Sequence, residues 1–184
     1  MTMDEAELKK IVDRAQKRDL AAISCLYEAY YTRVYRYILI RVRNVTEAED
    51  LASQTFLKMV ERIDSFRWPP KGGGFPAWLF KIAQNSIIDW FRGSKTTVPL
   101  LEKDEPEGRS PEEMAAEDES VREILKALGY LSDDQRQVLL LRLVGGLSSS
   151  ETAAVVGTTA GNVRILQHRA LNKVRERLEV IANA

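Results

Sequence analysis

The chain has 184 residues, room for one medium domain or two small helical ones, and its 45% apolar and 29% charged residues are ordinary for a soluble globular protein. Twenty-seven basic residues balance 27 acidic ones, which excludes a surface coated in positive charge. The longest apolar runs, such as Val138–Leu141, are too short to span a bilayer, and the N-terminus is charged and helical rather than a signal peptide, so no membrane insertion and a cytoplasmic location are expected.

The first helix is expected over Glu5–Lys17. A second covers Leu20–Tyr30, then continues or breaks into a third that ends near Arg43. It carries the lone Cys25 among Ala22, Ile23 and Leu26, where a small packing residue is the simplest reading. One cysteine and one histidine (His168) supply neither a disulfide nor a structural zinc site, and no cofactor is expected. Thr46-x-x-Glu49 reads as a capping box opening a helix over Glu47–Ile63. A Pro- and Gly-rich loop, Asp64–Gly74, separates it from a helix over Pro76–Arg92.

The segment 94–110 has turn formers and charge but no apolar period, and reads as a linker. From Ser94 to Glu119 nine acids face only Lys95, Lys103 and Arg109. Ser110-Pro111 then opens a helix to Leu128. Ser132-x-x-Gln135 and Ser148-x-x-Glu151 are capping boxes for helices over Asp133–Val144 and Ser149–Val156, and a last helix runs over Ala160–Ile181. No stretch alternates as a strand would, so the fold class is all-α: two small helical domains, 1–93 and 111–184, joined by the acidic linker.

Ser148–Arg169 is the most informative stretch. Gly157 closes one helix, and Thr159 caps the next after a short turn, which is the helix-turn-helix pattern. In that motif the second helix enters the major groove of duplex DNA. At 100° per residue Val163, Leu166, Ala170, Val174 and Ile181 share the inner face. Gly161, Arg164, Ile165, His168, Arg169 and Asn172 lie opposite. An outward isoleucine among cations suits DNA, where apolar atoms meet a thymine methyl and arginine pairs with guanine. Lys173 and Arg175 lie further along, suited to phosphates. Gln167 falls near the inner face. A plain solvated basic face is the competing reading; His168 reads as a DNA or phosphate contact, with a bland surface residue as its alternative.

The two candidate surfaces of the N-terminal domain are less distinctive. In Glu47–Ile63 the inner face is Ala48, Ala52, Phe56, Met59 and Ile63. Asp50, Gln54, Leu57 and Glu61 lie on the far side with Leu51 on its shoulder, a pattern that fits protein binding or a merely solvated face. In Pro76–Arg92, Leu79, Ile82, Ala83, Ser86 and Trp90 face inward. Lys81, Asn85, Ile88 and Arg92 face outward with Trp78 on the flank. Aromatic, amide and basic groups together suit an unpaired nucleic-acid strand. A core helix with tryptophans used for packing explains the same pattern.

The stretches 48–57 (AEDLASQTFL), 75–89 (FPAWLFKIAQNSIID), 131–142 (LSDDQRQVLLLR) and 146–169 occur in an order that resembles sigma factors of the sigma-70 family, extracytoplasmic-function class. The resemblance runs from about Asp19 onward. It implies a transcription initiation factor whose first domain is sigma region 2 and whose second is region 4. It implies that Glu49, Asp50, Leu51, Gln54, Leu57 and Glu61 bind the large-subunit clamp of core RNA polymerase. It implies that Trp78, Lys81, Gln84, Asn85, Ile88 and Arg92 recognise and help melt the minus-ten element. For the minus-thirty-five duplex it implies the helix-turn-helix face, with Thr159 and Asn162 at its entrance and Gly161, Arg164, Ile165, His168, Arg169, Asn172 and Lys173 along it. Free sigma factors of this class are often held by an anti-sigma protein, a further implied partner.

The chain departs from the family in places. Ser53-Gln54 stands where Gln-Glu is frequent, and Leu166 where an arginine is. The loop 68–74 is longer than usual. Two other function classes fit the bare residues. A dimeric helix-turn-helix regulator with a sensing N-terminal domain would bind a palindrome without polymerase. An interaction module would use the basic face on an acidic protein. Enzymatic chemistry has the least support: there is no Glu-x-x-His pair and no Gly-rich phosphate loop.

Overall fold

A computed structural model describes residues 4–69, 72–93 and 119–182, and the side chains of 4–69, 72–93 and 124–180. The described residues are helical throughout their regular elements. The helices are α1 (Glu5–Ala15), α2 (Leu20–Val42), α3 (Val45–Arg62), a 3-10 turn at Ile63–Ser65, α4 (Gly74–Gly93), α5 (Glu119–Gly129), α6 (Asp133–Leu143), α7 (Ser149–Val156) and α8 (Ala160–Ala182). The expected start of a helix at Ser110-Pro111, and the linker 94–110, lie outside the described residues.

Local chemistry sets the boundaries. The first helix ends at Ala15 rather than Lys17, because Arg18 takes φ 65° and Asp19 begins a new cap. The Asp19 carboxylate accepts from the backbone N–H of Ala21 (3.0 Å) and Ala22 (3.3 Å) and from the Arg14 guanidinium at 2.8 Å. Helix α2 runs unbroken to Val42, since nothing between Leu20 and Val42 is Gly or Pro. The capping box expected at Thr46 is not formed. Helix α3 starts earlier, capped by Asn44, whose side-chain oxygen accepts from Glu47 N–H at 2.9 Å. The Glu47 carboxylate accepts from Trp90 Nε1 at 2.7 Å, which ties α3 to α4. Helix α4 likewise starts at Gly74, before Pro76. A proline in a first turn loses nothing, because that N–H has no helical partner. The boxes at Ser132/Gln135 and Ser148/Glu151 are both present.

Helices α1–α4 wrap a core of Leu26, Tyr37, Ile38, Met59, Phe75, Leu79 and Phe80, all fully buried. Each such side chain is worth about 1.5–3 kcal/mol over exposure. Helices α5–α8 form a smaller bundle, and the buried apolar cluster continues from one bundle into the other through Leu128, Leu139, Leu141, Leu147, Val155 and Ala170. Helix α4 packs against α7. The junction carries specific bonds. The Arg33 guanidinium donates to the Gly145 carbonyl (Nε at 2.8 Å, and a second bond from Nη2) and lies over the Tyr30 ring at 5.1 Å. No helix of the described residues is long and apolar enough to cross a membrane.

Candidate nucleic-acid and polymerase interfaces

The helix-turn-helix is α7 and α8. Gly157 caps α7 in the left-handed region at φ 83°, where its N–H reaches the Ala153 carbonyl. A glycine adopts that backbone without a Cβ penalty. Thr159 then caps α8, its Oγ1 accepting from Asn162 N–H at 3.1 Å. The Asn162 amide donates to Thr158 Oγ1 at 3.0 Å. The angle between the two helices is held from inside: Val163 is fully buried and packs with Val138 and Ala153.

Rotation of α8 places most of its side chains as the sequence pattern requires; Ile181, expected on the inner face, lies outside the residues whose side chains are described. Val163 and Ala170 are buried, and Leu166 and Val174 are half-buried. Arg164, His168 and Arg169 are exposed, and so is Ile165, at 50%. Gly161 and Asn162 are also open to solvent. Gln167 is turned away from that face and accepts from Arg142 Nε at 3.0 Å. Two candidates are less free. Asn172 is half-buried and its amide lies 3.5 Å from His168 Nδ1. The Lys173 ammonium donates to Gln135 Oε1 at 3.3 Å, so a phosphate would have to compete for it.

On α4 the expected inner face is confirmed at Leu79, Ile82, Ala83 and Ser86, all buried. Asn85 and Arg92 are exposed, whereas Gln84 and Ile88 are half-buried. Trp78 is not a free ring. It leans on Phe66 (5.2 Å between centroids) and Phe75 (5.7 Å) and is half-buried. Lys81 faces outward, but its ammonium donates to the Val155 carbonyl of α7 at 2.7 Å. The cation expected on a melted strand is thus committed to the helix-turn-helix. Periodicity within α4 cannot show this, because the partner lies 74 residues away.

On α3, Glu49, Asp50, Gln54 and Glu61 are exposed, and Leu57 is 60% exposed. Leu51 corrects the sequence reading. At 4% exposure it belongs to the core and cannot meet a partner protein. Its position beside Asp50 suggested a shoulder, but α3 packs against both α2 and α4, and the side chain is enclosed. Cys25 is half-buried rather than enclosed. The sequence reading also missed Arg33, whose role depends on a carbonyl 112 residues away. It missed a run of tyrosines on α2 as well, although Tyr27, Tyr31 and Tyr35 recur every fourth residue and were visible as a stripe.

Residues 26–97 match the model of sigma-70 region 2, and residues 121–174 match that of sigma-70 region 4. The chain is 40% identical over 173 residues to the ECF RNA polymerase sigma factor BldN of Streptomyces coelicolor, covering 91% of this chain and 64% of that protein. It is 35% identical over 190 residues to the ECF RNA polymerase sigma factor SigD of Mycobacterium tuberculosis, covering 99% of this chain and 88% of that one. Two solved structures share the fold at lower identity. One is CnrH in complex with the cytosolic domain of CnrY (TM-score 0.68, 23% identity, 92% of this chain and 96% of that one). The other is the sigma factor RpoE of Bartonella quintana in complex with the anti-sigma factor NepR (TM-score 0.62, 24% identity, 85% and 96%).

Proposed function

Because the chain belongs to the extracytoplasmic-function class of the sigma-70 family, we propose that it binds core RNA polymerase and directs transcription initiation at specific promoters. Sigma factors are not enzymes; the work is binding and positioning, carried out in the cytoplasm where polymerase and chromosome meet. An anti-sigma protein completes the partner set.

The division of labour follows the surfaces. The outer face of α3, with Glu49, Asp50, Gln54, Leu57 and Glu61, docks on the clamp of the large subunit. The outer face of α4 takes the minus-ten element: Trp78 and Ile88 offer apolar surface to unstacked bases, while Gln84, Asn85 and Arg92 offer polar groups to the strand. Lys81 joins them once it leaves Val155. The exposed face of α8 enters the major groove at the minus-thirty-five element. There Arg164 and Arg169 pair with guanine edges, Ile165 meets a thymine methyl and His168 reaches a base or phosphate. Domain limits of 1–93 and 111–184 fit this division, with 94–110 between them.

One observation carries the reading: on α8 the four outward side chains Arg164, Ile165, His168 and Arg169 are all exposed, in a chain whose two parts match region 2 and region 4 in that order. The test is a pair of binding titrations, one with core polymerase and one with minus-thirty-five duplex. The Arg164→Ala, Arg169→Ala double variant should lose duplex binding and keep polymerase binding; Asp50→Ala should do the reverse. Loss of polymerase binding in the arginine variant would contradict the assignment.

A further inference from the structure

Helix α1 lies before residues 26–97, the part that matches sigma-70 region 2, and the roles proposed above give it no task. It packs on the bundle through buried Leu8, Val12 and Ala15. Just past its end, two side chains reach across to the segment between α3 and α4. The half-buried Gln16 amide donates through Nε2 to the Ile63 carbonyl (3.0 Å) and to the Phe66 carbonyl (2.8 Å). An amide nitrogen carries two N–H groups, so both are used. The Arg18 guanidinium donates to the Val60 carbonyl (2.7 Å) and to Asp64 Oδ2 (3.1 Å). Val60 sits in the last turn of α3, where a helix leaves carbonyls without a partner of its own. Arg18 makes this reach from φ 65°, a left-handed backbone that residues with a Cβ rarely adopt.

These bonds hold the stretch of chain that carries Phe66. Its carbonyl and that of Ile63 stand at the two ends of the 3-10 turn, so one amide fixes the direction in which the chain leaves α3. The Phe66 ring is buried and meets Trp68 at 5.3 Å, Phe75 at 5.9 Å and Trp78 at 5.2 Å between centroids. Trp78 is the ring assigned above to unstacked bases, and Phe66 and Phe75 set its tilt at 48° and 43°. A ring fixed beforehand loses less freedom when a base stacks on it. Of the two donors Gln16 weighs more. Its bonds are part-buried, whereas the Arg18–Asp64 pair is 51% and 55% exposed and screened by water.

We propose that Gln16, assisted by Arg18, is a positioning residue for promoter opening: it braces the turn at Ile63–Phe66 and so presets Trp78 for the unstacked minus-ten strand. The inference rests on the reading of α4 as the minus-ten surface. It gives α1 a task in the opening step, separate from polymerase docking and from duplex reading. Sequence spacing does not reveal the brace, because the bonded residues lie 42 to 50 positions apart.

The test uses the full chain with core polymerase, on a template from which the wild-type holoenzyme initiates. The lag of abortive synthesis against holoenzyme concentration separates initial promoter binding from the rate of opening. Gln16→Glu keeps the size of the side chain but turns its two donors into acceptors facing two carbonyls. It should slow opening about 3- to 30-fold, the effect of about one or two hydrogen bonds. Initial binding, polymerase affinity and minus-thirty-five duplex affinity should stay within about twofold of wild type. Arg18→Met should slow opening by less, and Arg18→Lys, which can still donate to Val60, should restore it. Opening at the wild-type rate by Gln16→Glu overturns the proposal. So does an equal loss in opening, duplex binding and polymerase binding, which marks a general loss of fold. Should Gln16→Glu fail to fold, the Arg18 pair decides: equal opening by Arg18→Met and Arg18→Lys overturns it. If the wild-type holoenzyme itself opens no template, the parent reading of α4 falls, and the brace has no opening step to serve.

Discussion

The packing of α4 against α7 sets a geometric problem for promoter binding, and a covalent lock exposes it. A compact chain of 184 residues has a radius of gyration of about 16 Å, a body about 40 Å across. Elements about 25 base pairs apart lie about 85 Å apart along B-DNA at 3.4 Å per base pair. On the roles proposed for α4 and α8, a single closed body cannot reach both elements, so Arg33 would have to leave Gly145 and Lys81 to leave Val155. A Cβ built at Gly72 lies 3.5 Å from Ser150 Cβ, within the about 3.5–4.5 Å span of a disulfide. Gly72 has φ 61°, so a cysteine there costs about 1–2 kcal/mol, and the reduced form of the same protein is the proper control. The Gly72→Cys, Ser150→Cys double variant, in a Cys25→Ser background, is compared oxidised and reduced for open-complex formation with core polymerase. The reduced protein should support it and the oxidised protein should not, while both bind a short minus-thirty-five duplex through the exposed face of α8. Equal open-complex formation by the oxidised protein would refute the requirement for separation.

Three further outcomes follow from single groups. Arg164→Ala and Arg169→Ala should each weaken minus-thirty-five binding about 5- to 150-fold, the equivalent of about 1–3 kcal/mol for a guanine pair, measured by anisotropy; no change in either would remove the base-reading role. Gly157→Ala meets no atom within 4 Å, so its cost is the left-handed backbone alone, about 1–2 kcal/mol, and Tm should fall by about 2–8 °C in a thermal melt. Asp19 is held below its ordinary 3.8, first by the hydrogen bond from Arg14 and then by the Ala22 N–H. Its contribution to stability is therefore complete above that ordinary value and is lost as pH falls through the lowered one. In acid titrations the stability gap between wild-type and Asp19→Asn should close over that window; a gap independent of pH would contradict it.

Much of this was legible in the sequence because it is local. The caps at Ser132, Ser148 and Thr159, the stop at Gly157 and the outward set on α8 all depend on neighbours within one or two turns. Thr46 misled for an equally local reason: Asn44, two residues earlier, is another good cap, and the helix takes it. Long-range contacts were not legible. Leu51 is buried where α3 packs among its neighbouring helices, and Lys81 is engaged because α7 lies beside α4. Helix periodicity gives a face its direction without saying what covers it.

Run-off transcription with purified core polymerase, over a library of candidate promoters, tests the central claim most directly. The account predicts that polymerase alone gives no discrete transcripts from these templates, and that adding this chain yields transcripts from a subset sharing a minus-thirty-five and a minus-ten element. Failure of the chain to associate with core polymerase at low salt, or transcripts unchanged by its addition, would contradict it.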